Sequence, residues 1–301
     1  MYCPGSAKPC SRRLAEAESR FESALREVEQ LPGQADLQAA TLSHLANVEI
    51  DLSRPEEASR LCQRAISILV QSQSAGEADA RVQSLRIELA GLYVESGQTT
   101  TAAKLLHKII AFQASNAQTA SPEGAFALDV LATLYAREKK LVAAEAAERQ
   151  SLLVLEALPP AHVAAVAVGD LHLSIFLNAR KRAAEALPYA ERAKTIFETL
   201  PLPEPPMEAA ADMSLASIHA SLGRRGEADA ESERAFRVVE NFYGPNHPQT
   251  AWMLLAHAAV LRRIDRKQEA RVIQKRGERI LREAGKNYLE ETVPVEALLP
   301  H

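Results

Sequence analysis

Apolar residues recur along this chain at three- and four-residue steps, the spacing that puts them on one face of a helix. Residues 11–30 set the pattern: Leu14, Ala17, Phe21, Ala24, Leu25 and Val28 share a face, and Pro32-Gly33 ends it. No run alternates apolar and polar residues between turn signals, so no strand is expected. Pro and Gly then cut the pattern into six pairs of helices, over 35–71, 77–114, 121–158, 161–200, 206–242 and 246–285. Ser53 is placed to cap the second helix of the first pair, with Pro55 in its first turn. Gly97 and Gly223 mark two of the turns within pairs. The segment 201–206, PLPEPP, falls at a junction between pairs and reads as a stiff loop. The chain is expected to be all-α, a tandem array of helical hairpins over 11–285 with a half repeat at 11–30. A disordered tail is expected at 1–10 and a capping tail at 286–301.

Within this helical pattern, small residues recur with a fixed period. Ala46, Ala58 and Ala65 form one set, separated by twelve and then seven residues. The same offsets return at Ala90, Ala102 and Ile109; Ala132, Ala144 and Ser151; Ser174, Ala186 and Ala193; Ala216, Ala228 and Ala235; and Ala258, Ala270 and Gly277. The middle members are 44 residues apart once and 42 residues apart four times. Such a period is the mark of a repeat architecture. Two antiparallel helices approach closely only where side chains are small, and twelve residues across a short turn bring two such positions face to face. Seven more residues are two helical turns, so the third position stays on a neighbouring face and is expected to admit the next hairpin. Gly277 would then be open to a following repeat, which residues 286–299 are expected to replace. One hairpin cannot bury its apolar stripe alone, whereas stacked hairpins bury a continuous core.

Small residues at these offsets, preceded by Leu and followed by an aromatic, resemble the tetratricopeptide repeat. LAGLYVESGQTTTAAKLLHKII at 89–110 and LATLYAREKKLVAAEAAERQSL at 131–152 carry the resemblance. The 42-residue period and the linker YGPNHPQTA at 243–251 are similar to the longer repeats of kinesin light chain. The resemblance implies a right-handed α-solenoid whose first helices line a concave groove. It implies lining positions six and three before the first small residue, and one, four and five after it. Repeats of the kinesin-light-chain type often carry Asn one after the small residue. Here that column reads Asn47, Gly91, Thr133, Ile175, Ser217 and Ala259, so only the first repeat keeps it.

Composition changes this picture little. The 301 residues are 47% hydrophobic and 25% charged, with a formal net charge of −4. No apolar run is long enough for a membrane span. Three cysteines, Cys3, Cys10 and Cys62, give no metal-ligand spacing, and Cys62 falls in a helical pattern as a small apolar residue. Charge is uneven: residues 246–285 carry nine Lys and Arg against four Asp and Glu. A basic end of this kind suits an acidic partner. Nucleic acid is not expected, since no aromatics interleave with the basic residues.

No active-site constellation stands out, and the glycines form no phosphate loop. The expectation is a non-enzymatic scaffold or adaptor that holds a partner peptide in its groove, without cofactor, metal or membrane, monomeric and cytoplasmic. A ligand-sensing module and a self-assembling array are the alternatives. The candidate groove residues are Asn47 and His172, the apolar ladder Leu171, Met213 and Leu255, and then Trp252 with Arg262 and Arg263. Trp252, Leu255, Ala259 and Arg262 lie at steps of three, four and three, one helix face. Trp and Arg often dominate interface energy. Arg forks onto carboxylates. The expected partner therefore offers one or two apolar anchors and an acidic group.

Overall fold

The structure, a computed structural model, describes residues 10–52, 54–72, 76, 79–115, 121–159 and 162–284. Among them are thirteen helices and no strand. The chain falls into two compact units that divide between Leu134 and Tyr135. In the first, α1 (Cys10–Glu29), α2 (Ala35–Asp51), α3 (Pro55–Gln71), α4 (Ala80–Glu95) and α5 (Thr99–Ser115) pack each on the next. α6 (Pro122–Arg137) runs across the division. The second unit holds α7 (Leu141–Glu156), α8 (Val163–Ala179), α9 (Ala183–Thr199), α10 (Pro205–Ser221), α11 (Arg225–Tyr243), α12 (Pro248–Arg263) and α13 (Lys267–Ala284). Here too each helix packs on its successor, and α10 also touches α8 and α12. α1 begins at Cys10, one residue inside the stretch read as a tail. The rest of that tail with Cys3, Ser53 and the tail 286–301 lie outside the described residues.

The periodic small residues sit where the helices cross. Ala46, Ala58 and Ala65 are wholly buried, as are Ser174, Ala186 and Ala193, and Ala216, Ala228 and Ala235. Larger apolar side chains fill the space around each crossing. In the first unit Leu42, Leu45, Cys62, Leu69, Val82 and Leu89 form one cluster. Burial pushes the Cys62 thiol up to about 12, which keeps it protonated and inert. Gly277 shows what the smallest side chain achieves. A Cβ there would stand 3.1 Å from the Ala251 carbonyl oxygen and 3.2 Å from Leu255 Cδ2. The position expected to admit a following repeat therefore packs against α12 of its own hairpin.

The turns repeat as regularly as the crossings. Gly97, Lys139, Lys181, Gly223 and Asp265 all have positive φ, between 59° and 77°, at 42-residue intervals. After each, a backbone N–H closes back on a carbonyl five residues earlier. Gln98 donates to Tyr93 at 2.8 Å, Lys140 to Tyr135 at 2.8 Å, and Arg182 to Leu177 at 2.9 Å. Arg224 donates to His219 and Arg266 to Leu261, both at 2.8 Å. This is the Schellman closure, in which one left-handed residue stops the helix and satisfies its last carbonyls. Only two of the five turns use glycine. Lys139, Lys181 and Asp265 hold the same backbone with a Cβ attached, at a cost in strain.

Buried charges also keep to the period. The Arg192 guanidinium forks onto Asp170, between α8 and α9. Forty-two residues on, Arg234 forks onto Asp212 at 2.5 and 2.6 Å, between α10 and α11. Lys194 joins Asp212 at 2.9 Å. Asp170 is wholly buried, so any helix registration that removed Arg192 would strand its charge. In the last hairpin Leu254 takes the place of the aspartate, and Arg276 reaches back to Glu240 of α11.

His257 of α12 breaks the column of core leucines, Leu45, Leu89, Leu131, Leu173 and Leu215. It is 5% exposed and stacks on Phe236 at 6.2 Å, and its Nδ1 meets no hydrogen-bond partner in the protein. Burial pushes its pKa below the ordinary histidine value.

Two outcomes are expected from these features. Lys181→Gly should stabilise the chain by about 0.5–1 kcal/mol in urea unfolding, because it relieves the left-handed strain. Gly223→Val should destabilise it by about 1 kcal/mol or more. An unchanged midpoint in both would show that these turns carry no strain. The second outcome concerns pH. The folded His257 resists a proton that the unfolded chain accepts near pH 6.5, so its contribution is intact above that pH and declines below it. His257→Leu should therefore lose less thermal stability than the parent between pH 7 and pH 5, and parallel losses would contradict this.

Candidate functional site

The second unit contains a cavity of about 330 Å³ between α8, α10 and α12, the first helices of three successive hairpins, with the end of α11 alongside. Its walls are mostly apolar: Ile175 from α8, Met207, Ala210 and Met213 from α10, Tyr243 from α11, and Trp252, Met253, Ala256 and Val260 from α12. Small residues on facing helices leave the space open, and Trp252 closes one side. Met207 stands at the mouth, 37% exposed. Methionines adapt their shape to varied apolar surfaces. Tyr243 stacks on His247 at 4.6 Å and meets Phe242 edge-on at 4.8 Å, which fixes that wall.

One end of the cavity is polar. Ser174 and Ser214 share a buried hydrogen bond of 2.8 Å. Asn178 Nδ2 donates to Ser217 Oγ at 3.0 Å. Arg263 Nη1 donates to Ser221 Oγ at 3.1 Å and to Ser217 Oγ at 3.3 Å. Burial pulls the Arg263 guanidinium below its ordinary pKa.

The candidates named from the sequence fall in different places. Met213 and Trp252 line the cavity, and Arg263 meets Ser217 at its polar end. Arg262 turns away and donates to Gln274 Oε1 of α13 at 2.7 Å. His172 stacks on Phe176 at 6.2 Å, with Nδ1 3.9 Å from the Glu148 carboxylate, and is not in the lining. Asn47 is exposed on α2 of the first unit.

The expected apolar ladder is corrected. Leu171 is packed with Ala193 and Phe197, and Leu255 with Leu254, Ile280 and Leu281. The position three before the small residue faces the third small residue of its own hairpin. Leu171 shares a cluster with Ala193 and Met213 shares one with Ala235, while Leu255 lies against Gly277. Only Met213 also reaches the cavity.

The columns six before and one and four after the small residue do reach it, through Ala210 and Trp252, Ile175 and Ser217, and Asn178. Asn178 and Ser217 were not singled out, although they stand in columns the repeat register marks. Part of the expected basic end is spent within the protein, while Lys267, Arg271, Lys275, Arg279 and Arg282 are exposed. Arg266 pairs with Glu269 at 2.5 Å and with Asp229, and Arg276 pairs with Glu240.

Among the described residues, no helix is long and apolar enough to cross a membrane. No curated protein sequence matches the chain. Of solved structures, BtubC (BKLC) from P. vanneervenii is similar at 22% identity and a TM-score of 0.58, over 80% of this chain and 94% of that one. A Rap protein complexed with Competence and Sporulation Factor is similar at 11% identity and a TM-score of 0.59, over 94% of this chain and 90% of that one. Both likenesses are of fold. Two family models match, both described as tetratricopeptide repeat, over residues 38–71 and 207–283. These segments are the hairpin α2–α3 and the two hairpins α10–α13, three of the six that carry the small-residue period, and the chain is accordingly a tetratricopeptide-repeat protein.

Proposed function

We propose that the chain is a non-enzymatic interaction scaffold, and that the cavity between α8, α10 and α12 receives an apolar anchor of a partner peptide. One observation carries this reading: about 330 Å³ of mostly apolar space opens on the face where three hairpins present their first helices. That volume lies within the range of ligand pockets. Three methionines, a tyrosine and the sole tryptophan line it, side chains that give large contact area. Arg263 stands at the polar end and suits an acidic group beside the anchor. The Rap protein of similar fold was solved with a bound factor, which accords with a scaffold that takes a ligand.

Selection of a displayed peptide library on the full chain tests this. Selected peptides should carry one or two large apolar residues and an Asp or Glu, and their binding should shift the fluorescence of Trp252. Trp252→Ala should weaken them by about 1–3 kcal/mol, and Met207→Glu at the exposed mouth should weaken them too, with melting temperatures nearly unchanged. Peptides that bind both variants as well as the parent would place the site elsewhere.

A further inference from the structure

The polar end of the cavity has an unfilled hydrogen-bonding requirement that specifies part of the ligand. Asn178 is 2% exposed and Ser217 is 5% exposed, yet both line the cavity. Ser217 Oγ accepts from Asn178 Nδ2 and from Arg263 Nη1. A hydroxyl has two lone pairs and one proton, so both lone pairs are committed and the proton is left to donate. On the other side of the same amide, Asn178 Oδ1 accepts from no group of the protein. A buried acceptor without a donor is costly, and a ligand that supplies the donor recovers that cost. One acceptor and one donor, separated by the Asn178 amide nitrogen, are thus left over on two residues that line the cavity.

We infer that this pair reads a primary carboxamide: a ligand N–H donates to Asn178 Oδ1, and the ligand carbonyl accepts from Ser217 Oγ. A primary amide carries an N–H and a C=O on the same edge, two atoms for two partners. A carboxylate is disfavoured there because it would set lone pairs against Asn178 Oδ1. An acidic group on the same ligand belongs further out, on Arg263. An ester of the same shape has no N–H to give. A backbone peptide group has one, but its N–H and C=O point in opposite directions across a trans bond. The carboxamide therefore comes from an Asn or Gln side chain or an amidated terminus, with its apolar stem lying along Ile175 and Met213.

This inference rests on the cavity being the ligand site, and the experiment separates the two. Five probes with closely matched apolar tails are titrated into the full chain, with Trp252 fluorescence and saturation-transfer NMR as readouts: hexanamide, methyl hexanoate, hexanoate, hexan-1-ol and N-methylhexanamide. Hexanamide should bind about tenfold more tightly than each of the others. N-methylhexanamide stands for the backbone group, so its deficit distinguishes a side-chain or terminal amide from a main-chain one. Asn178→Leu should bring the amide-to-ester ratio close to one. Ser217→Ala should reduce it severalfold and guards against failure of the first variant to fold, with circular dichroism melting recorded for both. Equal binding of hexanamide and the ester overturns the carboxamide reading. So does a preference for hexanoate or hexan-1-ol, or an amide preference that survives both variants. If library-selected peptides still lose affinity in Trp252→Ala under any of those results, the cavity stands as the ligand site and only the carboxamide assignment falls.

Discussion

The close approach of two helices at a pair of small residues is the constraint on which the hairpins depend. Ala216 and Ala228 are both wholly buried where α10 meets α11, and any larger side chain there must displace a helix. The turn seven residues after the first small residue fixes the separation of the pair. It is stopped by a left-handed residue in five hairpins, whether that residue is Gly, Lys or Asp. Small crossing and left-handed stop together set the registration of each hairpin. The forked pairs Arg192–Asp170 and Arg234–Asp212 then penalise any slip.

From that registration the cavity follows. In the second unit it brings α10 against both α8 and α12, so columns of residues one repeat apart face one another. Where Ala210 and Ala256 stand, those columns are too small to fill the space between helices, and Trp252 and Met207 wall it instead. Asn178 and Ser217 belong to the same face. Their hydrogen bond bridges α8 and α10 and leaves one amide oxygen buried without a donor. The chemistry of the site is thus a product of packing: apolar where helices part, polar where adjacent first helices are tied together.

Much of the fold was legible in the sequence, because helix periodicity and the spacing of small residues are local properties of the chain. The left-handed turns at Lys139, Lys181 and Asp265 were not, since lysine has no preference for that conformation and only the hairpin closure imposes it. The lining of the candidate cavity was legible in part. Met213, Trp252 and Arg263 could be placed from their columns. Leu171 and Leu255 share a column with Met213 but pack into the core, because that column faces the third small residue of the same hairpin. The unpaired amide oxygen of Asn178 was not legible, since it is what remains after the other hydrogen bond of that side chain is made. That remainder exists only in three dimensions.

The dependence on close helix crossings is tested most directly by urea unfolding of Ala228→Leu beside Ala230→Leu. The two positions share α11, one wholly buried against α10 and the other exposed. Overfilling the crossing should destabilise the chain by about 1–3 kcal/mol or more, while the exposed substitution should stay within about 0.5 kcal/mol of the parent. Equal stabilities for the two variants would contradict the account.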